Sequence, residues 1–143
     1  MAKTVYTAEA HVTGGRTHGH GVSSDGNLDV QLRPPADDAE PGTNPEQLFA
    51  VGYAACFEGA LAAVSRRQKV ELGDVAIDSA VRLITTEDRG YTVAVKLDVT
   101  LPEISDGDQA KEIVAAAHQV CPYSNATRGN IDVELVANGQ PVD

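Results

Sequence analysis

Asn44-Pro45-Glu46-Gln47-Leu48-Phe49-Ala50-Val51-Gly52-Tyr53-Ala54-Ala55-Cys56-Phe57-Glu58-Gly59-Ala60-Leu61-Ala62-Ala63-Val64-Ser65-Arg66-Arg67 is the stretch on which the fold turns. It opens as a helix should. Asn44 offers a side-chain acceptor at the N-cap, Pro45 suits the first helical position, and Gln47 stands where a capping-box partner would. Beyond that start, Leu48, Phe49, Val51, Ala54, Ala55, Cys56, Leu61, Ala62 and Val64 cover most of the circumference. A helix apolar on all sides belongs inside something. Gly52, Ala54, Ala55, Gly59, Ala60, Ala62 and Ala63 would let neighbouring backbones come close.

Outward from this helix the pattern changes to alternation. Residues 4–12 predict a strand with Tyr6, Ala8, Ala10 and Val12 on one face. Gly14-Gly15 breaks it, residues 16–23 predict a second short strand, and Asp25-Gly26-Asn27 marks a turn into a third with Leu28, Val30 and Leu32. Residues 34–42 read as a surface loop. After the helix, Val75, Ile77, Ser79, Val81 and Leu83 alternate, and so do Tyr91, Val93, Val95, Leu97, Val99 and Leu101, with Glu87-Asp88-Arg89-Gly90 as the turn between them. Ser105 is placed to cap a second helix carrying Ile113, Val114, Ala117, Val120 and Cys121 on its buried stripe. Pro122 cannot continue that helix far, so Cys121 falls at its end. Ile131, Val133 and Leu135 predict a last strand. Strands at one end interrupted by long helices give an α+β class, and 143 residues suit a single domain over 1–143.

Composition narrows the function. The formal net charge is -10, which argues against a nucleic-acid partner and against an anionic membrane surface. The start of the chain carries no charged and apolar leader pattern, and no apolar stretch reads as a membrane span, so a cytoplasmic location is expected. Thiols there stay reduced unless they do chemistry.

Cys56 and Cys121 are too far apart in sequence for a C-x-x-C motif. Each could be a small buried hydrophobe. A catalytic role instead requires one of them to ionise near neutral pH, which takes a nearby cation or a helix N-terminus. Cys56 lies about three turns into its helix, too deep for the dipole. Arg16, after a Gly-Gly turn in an acidic chain, is a candidate cation. Taken alone, Arg16 reads as a solvated strand residue and Glu46 as a favourable charge in a helix's first turn.

Four segments together point further. Gly14-Gly15-Arg16, Asn44-Pro45-Glu46-Gln47-Leu48-Phe49, Ala54-Ala55-Cys56-Phe57 and Cys121-Pro122-Tyr123-Ser124-Asn125-Ala126-Thr127-Arg128-Gly129-Asn130-Ile131 resemble the organic hydroperoxide resistance (Ohr) family, in its order and near its spacing. The likeness runs over nearly the whole chain and favours Ohr over its sister OsmC group. It implies an intertwined homodimer with antiparallel sheets wrapped around long central apolar helices. It also implies a thiol peroxidase for alkyl and fatty-acid hydroperoxides. By the same resemblance Cys56 is the peroxidatic cysteine, Cys121 the resolving cysteine, Arg16 the arginine that stabilises the thiolate, and Glu46 the carboxylate that holds the arginine. The resemblance also implies no bound cofactor, with dihydrolipoamide or a lipoylated protein as the reductant. Phe49, Phe57 and Tyr123 are candidates for an apolar substrate pocket. The segment Thr17-His18-Gly19-His20-Gly21 departs from the family pattern in length and histidine content.

The other polar residues fit quieter roles. His18 and His20 share a face, and with His11 or His118 could begin a metal site, but no tight ligand motif supports one. Glu58, Arg66 and Arg67 read as solvated, and Arg128 and Asn130 as fixing a turn. Two other functions stand beside the Ohr-type peroxidase. One is an OsmC-type peroxidase of broader substrate range, and the other a non-catalytic redox sensor.

Overall fold

The computed structural model describes residues 2–36, 40–88 and 90–143. The chain forms two compact units, Met1–Leu48 and Phe49–Asp143.

The first unit is a three-stranded antiparallel sheet of β1 (Ala10–Thr13), β2 (Gly19–Ser23) and β3 (Asp29–Leu32), in that order. The first strand is shorter than its alternation predicts, and residues 4–9 are exposed, with one bond from Ser24 N–H to the Glu9 carbonyl as their backbone link to another segment among the described residues. Alternation shows which face could be buried; it does not supply the neighbour, and Val5 and Tyr6 remain 94% and 79% exposed. Gly14 and Gly15 both take left-handed φ, 75° and 66°. A Cβ on Gly14 would stand 2.3 Å from the His18 carbonyl oxygen, so only glycine fits where the chain turns towards Arg16. The predicted loop over 34–42 lies partly outside the described residues; Arg33 anchors its near end, pairing with Glu40 at 2.8 Å.

Helix α1 (Pro45–Gln68) starts as its sequence predicts, with the Gln47 N–H donating to Asn44 Oδ1 at 2.9 Å. The reciprocal half of the box differs: Gln47 Oε1 accepts from Thr43 Oγ1 at 2.7 Å. By length and composition α1 could cross a membrane, contrary to the sequence expectation. It nonetheless buries Tyr53, Phe57, Ala60, Leu61 and Val64 in the protein core.

In the second unit β4 (Ala76–Thr86), β5 (Gly90–Thr100), β6 (Val133–Ala137) and β7 (Gln140–Val142) form one sheet in that order. Only the β5–β6 pairing is parallel. Residue 89 of the predicted β4–β5 turn lies outside the described residues. Strand β7 was absent from the sequence expectations. Its signal was present: Asn138-Gly139, at φ 47° and 82°, is a two-residue hairpin turn of the kind that matches strand twist. Val95, Leu97, Val99 and Leu101 pack with the α1 stripe and with Ile113, Val114 and Ala117 of α2 (Gly107–Val120). The predicted alternation fails at the hairpin end of both strands, where Leu83 and Tyr91 are 48% and 68% exposed beyond the core's edge.

Asp106, not Ser105, caps α2: its Oδ1 accepts from the N–H groups of Asp108 at 2.9 Å and Gln109 at 3.3 Å. Asp106→Ala is expected to lower stability by about 1 kcal/mol, read as a shifted urea midpoint. At the other end the chain does not simply stop. Pro122 becomes the first residue of a further short helix, α3 (Pro122–Thr127), because a ring-locked φ and a missing N–H suit that position. Cys121 is the extended residue between the two helices, at φ -61° and ψ 124°.

Candidate active site

Cys56 and Cys121 meet. Their sulfurs lie 3.7 Å apart, with Cys121 Sγ donating, and both are free thiols. The two differ in access: Cys121 is fully buried, whereas Cys56 is partly open to solvent. The α2 end holds Cys121 through its N–H to the Ala117 carbonyl, 2.9 Å, while its own carbonyl accepts the Asn125 N–H of α3 at 2.9 Å.

Burial pushes the Cys56 thiol above its ordinary range. The Tyr123 backbone N–H pulls against this, and the neighbouring Cys121 thiol adds to the rise. Within this unit, then, the two sulfurs are in contact and burial disfavours the Cys56 thiolate.

Tyr123 stacks on Phe49 with ring centroids 5.7 Å apart and planes at 24°, and Tyr53 packs against both. The Tyr123 ring lies over Gly52, where an added Cβ would stand 3.1 Å from the Tyr123 hydroxyl. Phe49 and Tyr123 thus form a partly exposed aromatic wall on the chain that carries Cys56. Phe57 does not join them at the surface. It is fully buried and fills the core, since its place on α1 faces the sheet.

In the first unit Arg16 and Glu46 are paired. Arg16 Nη2 alone donates to both carboxylate oxygens, at 2.8 and 2.7 Å. This differs from the parallel two-nitrogen fork that usually locks such pairs. Among the described residues the other Arg16 nitrogens make no hydrogen bond, and the side chain is 48% exposed. The guanidinium holds the Glu46 carboxyl below its usual range, overcoming the opposing effect of burial.

The histidines do not assemble. His20 Nε2 lies 2.6 Å from Asp29 Oδ1, and among the described residues no three His, Cys, Asp or Glu side chains gather for a metal ion. His118, one turn before Cys121, is held towards its neutral form by burial and by Arg128. Arg128 and Asn130 do fix the turn after α3. Arg128 donates to the His118 carbonyl and to Asn125 Oδ1, and Asn130 N–H donates to the Thr127 carbonyl. Missed in the sequence were the buried hydroxyls of Tyr53, Ser124 and Thr127; the signal was their spacing, three residues from one cysteine or the other for Tyr53 and Ser124.

Comparison with known proteins matches residues 36–136 to the family model described as OsmC-like protein. The organic hydroperoxide resistance protein of Xanthomonas axonopodis pv. citri (strain 306) is 51% identical over 137 residues, covering 93% of this chain and 94% of that one. The chain belongs to the Ohr branch of the OsmC-like family. Among solved Ohr structures, OhrB of Bacillus subtilis superposes with a TM-score of 0.86 at 47% identity, covering 93% of this chain and 98% of that one. An Ohr protein from Legionella pneumophila gives 0.87 at 45%, covering 94% and 98%. The mixed α+β architecture is that of these Ohr structures.

Proposed function

We propose that this chain is a thiol peroxidase that reduces organic hydroperoxides, in keeping with the resistance to them named in its relatives. The observation that carries the proposal is the 3.7 Å contact between a partly open thiol and a sealed one. The Cys56 thiolate attacks the terminal hydroperoxide oxygen. The O–O bond breaks, Cys56 becomes a sulfenic acid, and the alkoxide takes a proton and leaves as the alcohol. Cys121 then attacks the sulfenic sulfur, water leaves, and a disulfide forms. A dihydrolipoyl dithiol reopens it by two exchanges, becoming a cyclic disulfide itself. The aromatic wall of Phe49 and Tyr123 favours an alkyl substrate, each buried CH2 recovering roughly 0.8 kcal/mol.

Arg16 is assigned the two tasks that Cys56 cannot perform by itself: offsetting the burial that raises its thiol, and receiving charge as the O–O bond breaks. Glu46 restrains that guanidinium.

A homodimer is part of the proposal. Val51 is 70% exposed on the outer stripe of α1, beside a groove lined by Ala54, Ala55, Glu58, Ile77 and Ser79. The Ser79 hydroxyl is buried there without a partner among the described residues. So much apolar helix surface calls for cover, and a second copy supplies it. The protein works in the cytoplasm, where lipoylated proteins can serve it.

The test is a steady-state assay with dihydrolipoamide. Purified protein is expected to consume tert-butyl or cumene hydroperoxide faster than H2O2 over many turnovers. Equal rates would favour the OsmC-type alternative, and a single turnover per subunit would favour a sensor.

A further inference from the structure

Beside the sulfur pair lies a second, oxygen-based contact between the same two segments. Tyr53 and Ser124 are both fully buried, and Thr127 is 9% exposed. Tyr53 Oη lies 2.9 Å from Ser124 Oγ and 3.1 Å from Thr127 Oγ1, and Thr127 Oγ1 donates to the Tyr123 carbonyl at 2.9 Å. Each hydroxyl has one proton, so the geometry closes as a directed chain. Ser124 donates to Tyr53, Tyr53 to Thr127, and Thr127 to the Tyr123 carbonyl.

Tyr53 precedes Cys56 by three residues on α1, and Ser124 follows Cys121 by three on α3. On a helix such spacing is one turn. The hydroxyl contact and the sulfur contact are therefore successive rungs between α1 and the Cys121–α3 segment. Three buried hydroxyls are costly unless each is paired, and apolar groups of the same shape could fill the space. What the hydroxyls add is direction: they hold one register.

That register matters to the resolving step. A disulfide demands a sulfur separation of about 2.05 Å and a narrow range of torsion angles. The thiols start at 3.7 Å, so α3 must not drift further. Misplacement by about 1 Å can slow a reaction by roughly 10²-fold.

We propose that Tyr53, acting through Ser124 and Thr127, is the positioning residue of the resolving step. It holds Cys121 in bonding range of the oxidised Cys56, and so decides between two fates. In one, Cys56 sulfenic acid and the Cys121 thiol give the disulfide and water. In the other, the sulfenic acid meets a second hydroperoxide and gives sulfinic acid and alcohol. This role rests on the two-cysteine mechanism above.

Tyr53→Phe, Ser124→Ala and Ser124→Thr test it in the full chain, treated with one equivalent of cumene hydroperoxide and then with excess. Quenched samples are read by mass spectrometry for thiol, disulfide and sulfinic acid. In Tyr53→Phe the loss of Cys56 thiol should stay within about twofold of the wild type, while disulfide formation slows by roughly tenfold or more. Sulfinic acid should then accumulate with excess peroxide. Ser124→Ala should move the same way and Ser124→Thr should restore the wild-type partition; that pair decides the matter if Tyr53→Phe does not fold. A lower melting temperature with unchanged disulfide formation would mean the hydroxyls serve stability only, and the positioning role falls while the peroxidase assignment stands. If the wild type itself consumes peroxide without forming a disulfide, both fall.

Discussion

Cys56→Ser is expected to reduce hydroperoxide turnover to the uncatalysed background, a loss of more than about 10³-fold. Serine keeps the shape of the side chain, so the core around Tyr53 and Phe57 should survive and circular dichroism should not change. What disappears is the one thiol among the described residues that solvent can reach, and a hydroxyl neither ionises near neutral pH nor passes through a sulfenic acid. The check is the dithiol-coupled assay with tert-butyl hydroperoxide. Cys121→Ser makes an informative companion: it should release about one alcohol per subunit quickly and then accumulate over-oxidised Cys56. A Cys56→Ser protein with half the wild-type rate would put the chemistry elsewhere and end the proposal.

Arg16→Ala carries the second large effect. Burial already pushes the Cys56 thiol up, so removing its proposed cation leaves less thiolate at neutral pH. The rate of Cys56 oxidation near pH 7 should fall by roughly 10²–10³-fold, the range seen when one aimed donor is lost. The pH dependence identifies the cause. Thiolate increases as pH rises, so the variant should recover part of its rate at alkaline pH, its profile displaced upwards over about pH 6 to 10. An unchanged profile removes Arg16 from the mechanism. Glu46 gives the opposite limit. Its carboxyl is held low by the Arg16 hydrogen bond, so the pair contributes fully above the ordinary glutamate value of about 4.3. That contribution fades as pH falls through the lowered folded value, when the carboxyl takes a proton and releases the guanidinium.

How much of this was legible in the sequence depended on the kind of signal. The strong local chemistry of Asn44-Pro45 placed the α1 start to the residue. Ser105 and Asp106 are both capable caps, and only the backbone decides that Asp106 reaches the N–H groups of Asp108 and Gln109. Pro122 was legible as an end to α2, but the same ring geometry opens α3, and a residue type with two meanings needs its neighbours to choose. The strand over 4–12 shrank to Ala10–Thr13 because periodicity describes a face and not its partner. In the site, the motifs paired Arg16 with Glu46 and Cys56 with Cys121. They could not say that one thiol is sealed and the other open, which follows from how α1 and α2 pack on β5. Nor could residue type alone place Phe57 inside, since Phe49 and Phe57 look alike until the helix is turned to face the sheet.

In the proposed cycle, the sealed position of Cys121 gives the recycling step a direction. A bulky dithiol arriving from solvent meets the Cys56 end of the disulfide, so the transient mixed disulfide forms there and Cys121 is the departing group. On that mechanism the protein would be a one-way port: oxidant and reductant would use the same sulfur in turn, and the inner one would never need to be seen by either.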